Sequence, residues 1–190
     1  MSNWHEVEDI QLLQIAQKGN TDAFGEIYER NAEKVFRYLS AHLDNGLDAE
    51  DLTEEVFIRV LRSLPDYRER GTPFLAFVFR IARNVLIDHY RRERRKKEQV
   101  SADEVPIQDH KPGPVELLSI QTERLELIKA LDSLREDYRN VLVLRFLSDL
   151  SPEETAQVMG RSAGAVRVLQ HRALSVLRTQ IEKLTGNQDD

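Results

Sequence analysis

Residues 151–177 read SPEETAQVMGRSAGAVRVLQHRALSVL. Ser151 and Glu154 stand at capping-box spacing, and Pro152 takes the first helical position, where its missing N–H costs nothing. Gly160 supplies the stop. Ser162 caps a second helix that runs to about Leu184. Two helices with a tight turn at Gly160-Arg161 form a helix-turn-helix pattern. Ala156 is small where the helices cross, and Val158, Val166, Leu169, Ala173 and Leu177 fall on the inward face. The outward face near the start of the second helix then carries Arg167, Gln170 and Arg172, side chains suited to guanine and adenine edges in a major groove. The plainer alternative is a helical corner with solvated arginines. Against it, the stretch Arg161–Arg178 holds four arginines and no acid.

Upstream of this pair the helical period continues, and no alternating strand emerges. A helical hairpin is expected over Val115–Leu134 and Arg135–Leu147. Before it, Gln99–Pro114 has three prolines and no periodicity, so it reads as an acidic linker. Its sixteen residues reach roughly 50 to 55 Å when extended at about 3.3 Å each. Nearer the N-terminus, helices are expected over Glu6–Lys18 with Gly19 as stop, and from a Thr21 or Asp22 cap to a break at Asn45-Gly46. Another runs from Asp48 to Pro65, and one more is capped at Thr72 with Pro73 first in the helix. The fold class is all-α. Two small helical domains, 1–98 and 115–190, are joined by a flexible linker at 99–114.

The charge is unevenly spread. Arg80–Lys97 (RIARNVLIDHYRRERRKK) carries eight basic residues against Asp88 and Glu93, a local +6 in a chain of net charge −6. Setting aside this block and the +4 of Arg161–Arg178 leaves −16 for the remainder. Two cationic surfaces on an anionic body suggest two separate contacts with nucleic acid. One or two cations near a helix C-terminus would complement its dipole, but six exceed that need. A surface that tracks phosphates accounts for the excess. In this helix Phe74, Val78, Ile81, Val85 and Tyr90 line the inner side, and Arg80, Arg83, Asn84, Asp88, Arg91 and Arg92 fall largely on another. Tyr67, Phe74, Phe77 and Phe79 are core aromatics or, where exposed, platforms for unpaired bases.

The helix Asp48–Leu64 divides in two. Leu52, Val56, Phe57, Val60, Leu61 and Leu64 cover one half. Asp48, Asp51, Glu54, Glu55, Arg59 and Arg62 cover the other, with Ile58 among them. It is either an amphipathic helix with a solvated back or a docking face for a basic partner, with Ile58 as apolar anchor.

Other classes are excluded or disfavoured. The chain has no cysteine, hence no disulfide or thiolate metal site. The acidic N-terminus carries no signal-peptide pattern, and no apolar run is long enough for membrane insertion. The five histidines are scattered. Asp88-His89 and Glu54-Glu55 are adjacent pairs pointing about 100° apart on a helix, which does not build a catalytic or metal site. No catalytic residue, cofactor or small-molecule substrate is expected.

The segments DAEDLTEEVFIRVLRSL, FRIARNVLIDHYRR, the acidic linker and SPEETAQVMGRSAGAVRVLQHRALSVLR, in this order, resemble the extracytoplasmic-function (group 4) sigma factors of the sigma-70 family of bacterial RNA polymerase. The match extends over roughly Asp22–Leu177. The resemblance implies a sigma-2 and a sigma-4 domain without sigma-3, and a cytoplasmic promoter-specificity subunit that binds core polymerase and directs transcription initiation. It implies that Asp48, Asp51, Leu52, Glu54, Glu55, Ile58, Arg59 and Arg62 dock on the clamp helices of the largest polymerase subunit. Tyr67, Arg68, Arg80, Arg83, Asn84, Asp88, Arg91 and Arg92 would recognise and open the −10 element. Ser162, Ala163, Ala165, Arg167, Gln170, His171 and Arg172 would read the −35 element. The hairpin Leu131–Phe146 would hold the flap of the second-largest subunit. The acidic linker would thread the cleft as a nucleic-acid mimic. An anti-sigma factor is an expected partner, one that can hold the chain at the inner membrane.

Some residues depart from the family pattern. Phe77 and Phe79 stand where Trp and Tyr are usual. Ala165 lacks a hydroxyl, Leu169 replaces a common arginine and Gln170 a common core leucine. Leu169 is expected to take the buried role and Gln170 to turn toward DNA. The competing reading is a stand-alone helix-turn-helix regulator that binds duplex DNA without polymerase; it has no need of the acidic docking helix.

Overall fold

The computed structural model describes residues 4, 7–43, 45–68, 73–100, 127 and 129–185. Every regular element among them is helical: α1 (Asp9–Ala16), α2 (Thr21–Ser40), α3 (Gly46–Ser63), α4 (Phe74–Val100), α5 (Glu136–Leu142), α6 (Pro152–Met159) and α7 (Ala163–Thr185). A 3₁₀ turn at Leu64–Asp66 follows α3, and a π-helical stretch, Val143–Leu147, follows α5. The described residues are all-α.

Several boundaries differ from expectation because asparagine caps outcompete their neighbours. Asn20, not Thr21 or Asp22, caps α2: its Oδ1 accepts from Ala23 N at 2.9 Å. Asn45 was expected as a stop but caps α3, accepting from Leu47 N at 3.1 Å, so Gly46 is the first residue of that helix. Gln99 and Val100, expected in the linker, close α4. Thr72, most of Val115–Leu134 and linker residues 101–114 lie outside the described residues.

The chain divides into two compact units, residues 1–86 with 143–167, and residues 87–142 with 168–190. In the first unit, α2, α3 and the first half of α4 bury Val35, Leu39, Val56, Val60, Val78, Phe79 and Val85. Val143, Leu144, Leu150 and Val158 share that core. Removing such side chains from water supplies the stabilisation, about 1.5–3 kcal/mol for each large one fully buried. A second cluster, Leu12, Leu13, Ala16, Ala23, Ile27 and Leu64, fixes α1 against α2 and the end of α3.

Arg30 of α2 ties the N-terminal segment to this cluster. Its guanidinium donates to Glu26 (2.9 Å), Asp9 (2.5 Å), Val7 O (3.0 Å) and Trp4 O (2.7 Å). Burial pulls the Arg30 pKa down, but hydrogen bonds and charge from Glu26 and Asp9 outweigh it and raise the pKa above its ordinary value.

In the second unit Ala130, Leu131, Leu134, Val141, Leu142 and Ala173 are buried. Arg139 pairs with Asp132 at 2.5 Å, and Arg135 lies over the Tyr138 ring at 4.6 Å.

Candidate nucleic-acid interface and docking face

The boundaries of the helix-turn-helix are set by its own side chains. Ser151 Oγ accepts from Glu154 N at 3.1 Å while Glu154 Oε2 accepts from Ser151 N at 2.7 Å, a complete capping box. Gly160 sits at φ +65°, a left-handed C-cap that side-chain-bearing residues adopt at a cost. Ser162 Oγ accepts from Ala165 N at 3.2 Å and starts α7. Val158, Val166 and Ala173 are buried as the period requires. Leu169 and Gln170 are both half-buried, so the exchange expected between them is incomplete. Ser162, Ala165, Arg167, His171 and Arg172 are exposed, and Ala163 is half-buried. Arg167 is not simply solvated: its Nη2 bonds Glu153 Oε1 of α6 at 2.7 Å. The acid-free run of sequence hid this partner, which comes from the helix before the turn.

On α4 the buried row is Ala76, Val78, Phe79, Ala82, Val85 and Leu86. Arg80, Arg83, Asn84, Arg91 and Arg92 are exposed, and Asp88 is half-buried. Tyr90, expected on the inner side, is instead 48% exposed. Its spacing from Leu86 carries it past the point where the core ends. The basic tail is partly offset by its own acids, with Arg91–Asp88 at 3.9 Å, Arg94–Glu98 at 2.8 Å and Lys96–Glu93 at 2.8 Å. Exposed pairs of this kind are worth at most about 1 kcal/mol, so they yield readily to phosphates.

Before α4 stands an aromatic cluster. The Tyr67 ring lies 4.8 Å from Phe77 and 5.6 Å from Phe74, while Phe79 is fully buried. Tyr67, Phe74 and Phe77 are half-buried and so offer partial faces; Phe79 offers none. Arg68 is exposed, its Nη1 folded back onto Pro65 O and Tyr67 O at 2.8 and 2.9 Å.

On α3, Asp51, Glu54, Ile58 and Arg62 are exposed, while Asp48, Glu55 and Arg59 are half-buried. Glu55 and Arg59 pair with each other at 2.6 Å. Leu52 needs correction as a docking residue: it is 5% exposed and belongs to the core. Leu61, assigned by its wheel position to the inner side, is 48% exposed and adjoins Ile58 as a second apolar residue of the face. Leu61 sits at the edge of the apolar half, next to the fully buried Val60, and helical phase alone does not say which edge positions the core covers.

Arg59, Arg62 and Ser63 of α3 and Ile81 and Asn84 of α4 line an open cavity of about 260 Å³. Residues that the sequence assigned to docking and to DNA therefore share one hollow. Among the described residues no cluster of three or more His, Asp or Glu side chains could hold a metal, and no helix is long and apolar enough to cross a membrane.

Comparison with known proteins gives the class. Residues 27–96 match the model of sigma-70 region 2, and residues 124–177 match that of sigma-70 region 4. The chain is 38% identical over 180 residues to the ECF RNA polymerase sigma factor ShbA of Streptomyces griseus, covering 90% of this chain and 94% of the relative. It is 33% identical over 168 residues to the ECF RNA polymerase sigma factor BldN of Streptomyces coelicolor, covering 88% of this chain and spanning 64% of that relative. The solved structure of CnrH in complex with the cytosolic domain of CnrY has the same fold, with a TM-score of 0.70 at 23% identity over 92% of this chain and 97% of that one.

The chain belongs to the ECF sigma factors of the sigma-70 family. It is a promoter-specificity subunit of bacterial RNA polymerase, a DNA-binding partner of the core enzyme with no catalysis of its own. The region 2 match, absent from a simple helix-turn-helix regulator, sets that alternative aside.

Proposed function

We propose that three surfaces divide the work of initiation. Asp48, Asp51, Glu54, Glu55, Arg59 and Arg62, with Ile58 and Leu61 as apolar anchors, dock α3 on the clamp helices of the polymerase. An apolar centre ringed by charges is what a transient interface needs: the apolar groups supply affinity, and the charges supply orientation and rate. Tyr67, Arg68, Arg80, Arg83, Asn84, Asp88, Arg91 and Arg92 take the −10 element, guanidiniums on phosphates and the asparagine and aspartate near the bases. Ser162, Ala163, Ala165, Arg167, Gln170, His171 and Arg172 take the −35 element. The flap is held by the 131–146 segment, where Phe146 is 50% exposed.

The observation that carries this reading is α4 itself. One row of the helix is fully apolar and buried, while the opposite row offers Arg80, Arg83, Asn84, Arg91 and Arg92 to solvent. The domains follow as 1–98 for docking and −10 opening, 99–114 as linker and 115–190 for −35 reading. Cytoplasmic location, an anti-sigma partner and tethering to the inner membrane through it are parts of the same proposal, drawn from family membership.

Run-off transcription with core polymerase, with and without the chain, is the test; absence of chain-dependent transcripts rejects the reading. Charge reversal at Asp51 and Glu54 should abolish core binding while leaving the helix-turn-helix folded. Retained core binding would remove α3 from the docking face.

A further inference from the structure

Gln17, the C-cap residue of α1, lies outside all three surfaces, yet it is bonded to one of them. Its Nε2 donates to Leu64 O at 3.0 Å and to Tyr67 O at 2.8 Å. These carbonyls bracket the 3₁₀ turn that ends α3 and leads toward α4. Leu64 is an anchor, 1% exposed, and its carbonyl also accepts from Tyr67 N at 3.1 Å. Tyr67 O in turn accepts from Arg68 Nη1 at 2.9 Å. One amide therefore fixes the point from which the Tyr67 ring leans on Phe77 and Phe74 and from which the Arg68 guanidinium is held. Leu12, Leu13 and Ala16 of α1 pack into the same cluster as Leu64.

We propose that Gln17 is a positioning residue for promoter opening: through Leu64 O and Tyr67 O it presets Tyr67 and Arg68 for the unpaired −10 strand. This rests on the −10 assignment above. The chemistry requires a donor. Both partners are carbonyl oxygens, so a glutamate of the same shape sets a carboxylate against two acceptors and pushes the turn away. A misplaced Tyr67 penalises the step in which bases leave the stack, because stacking on the protein offsets the cost of unpairing. Core docking through α3 and −35 reading through α7 involve neither carbonyl.

The test reconstitutes core polymerase with the full chain bearing Gln17→Glu. Gln14→Glu, which adds the same charge on the exposed side of α1, is the control. Templates are a duplex library with a randomised upstream region, and the transcribed members rebuilt with the −10 segment left unpaired. Gln17→Glu is expected to keep wild-type core affinity and wild-type output on pre-opened templates. On fully paired ones it should lose roughly tenfold, the weight of about one hydrogen bond at a partly buried carbonyl. Gln14→Glu should match wild type on both, and Gln17→Arg, which restores donors, should recover paired-template output. Equal output from Gln17→Glu and Gln14→Glu on paired templates overturns the inference, as does an equal loss on both template types. If the wild-type chain yields no transcript from any template, it is the promoter reading that fails, and the Gln17 role with it.

Discussion

Arg167, near the start of α7, is paired with Glu153 of the preceding helix at 2.7 Å, with both side chains 59% exposed. On the proposed −35 assignment, the acid would compete with DNA for the guanidinium. Because the pair is exposed, breaking it costs less than about 1 kcal/mol of stability. Glu153→Gln should leave the thermal midpoint nearly unchanged and strengthen holoenzyme binding to a promoter duplex by roughly two- to fivefold. Arg167→Ala should weaken binding by about tenfold or more if the arginine reads a base. Fluorescence anisotropy on one promoter duplex measures both; a Glu153→Gln variant that binds more weakly contradicts the competition.

Two glycines of the helix-turn-helix should respond oppositely to the same change. Gly160 is at φ +65°, whereas Gly164 lies inside α7, and an added Cβ meets nothing within 4 Å at either. Gly160→Ala therefore costs the left-handed backbone alone, about 1–2 kcal/mol. Gly164→Ala should be neutral or gain up to about 1 kcal/mol through helix propensity. Urea unfolding of the two variants separates them, and a loss at both would indicate a contact at Gly164 that the fold does not predict.

Arg30→Met keeps the stem of the side chain but removes five donors. It removes the Arg30 ion pair from Glu26, only 8% exposed, and the guanidinium donors from the backbone at Trp4 and Val7. A loss of about 2–3 kcal/mol is expected, chiefly from the charge-assisted hydrogen bonds removed at Glu26, Trp4 O and Val7 O. Trp4 is the sole tryptophan, so its emission should shift to the red before the global transition. Unchanged emission would mean that the guanidinium does not hold the N-terminal segment.

Leu52 and Ile58, six residues apart on α3, should divide stability from function. Leu52→Ala opens the core and is expected to cost about 2–5 kcal/mol. Ile58→Ala, at a position 49% exposed, should barely move the unfolding midpoint but weaken core-polymerase binding by roughly tenfold, as an interface anchor does. Parallel calorimetry and core-binding titrations decide it; unaltered core affinity in Ile58→Ala would remove the anchor role.

The sequence was most legible where local chemistry decides structure. Ser151, Glu154, Pro152, Gly160 and Ser162 are all punctuation whose partners lie within four residues, and each acts as its type requires. Legibility fell where distant groups compete. Asn45 resembles a stop and is a cap, because its oxygen finds Leu47 N before the preceding helix can reach it. Leu61 and Tyr90 were placed by helical phase, which gives direction but not where the core ends, whereas Leu52's docking role came from the family resemblance against a wheel position that the core bears out. The Arg167–Glu153 pair and the Gln17 bonds join residues 14, 47 and 50 positions apart, and no periodicity reports such contacts.

The capping box, the left-handed glycine and the Ser162 hydroxyl together give the helix-turn-helix a further property. All its boundary instructions are written inside itself, and Val158 and Met159 join it to the surrounding core. Such a segment can act as a cartridge: under the proposed −35 reading, evolution or an engineer could exchange its outward residues, and so redirect which genes are switched on, while the local caps that set its helices stay in place.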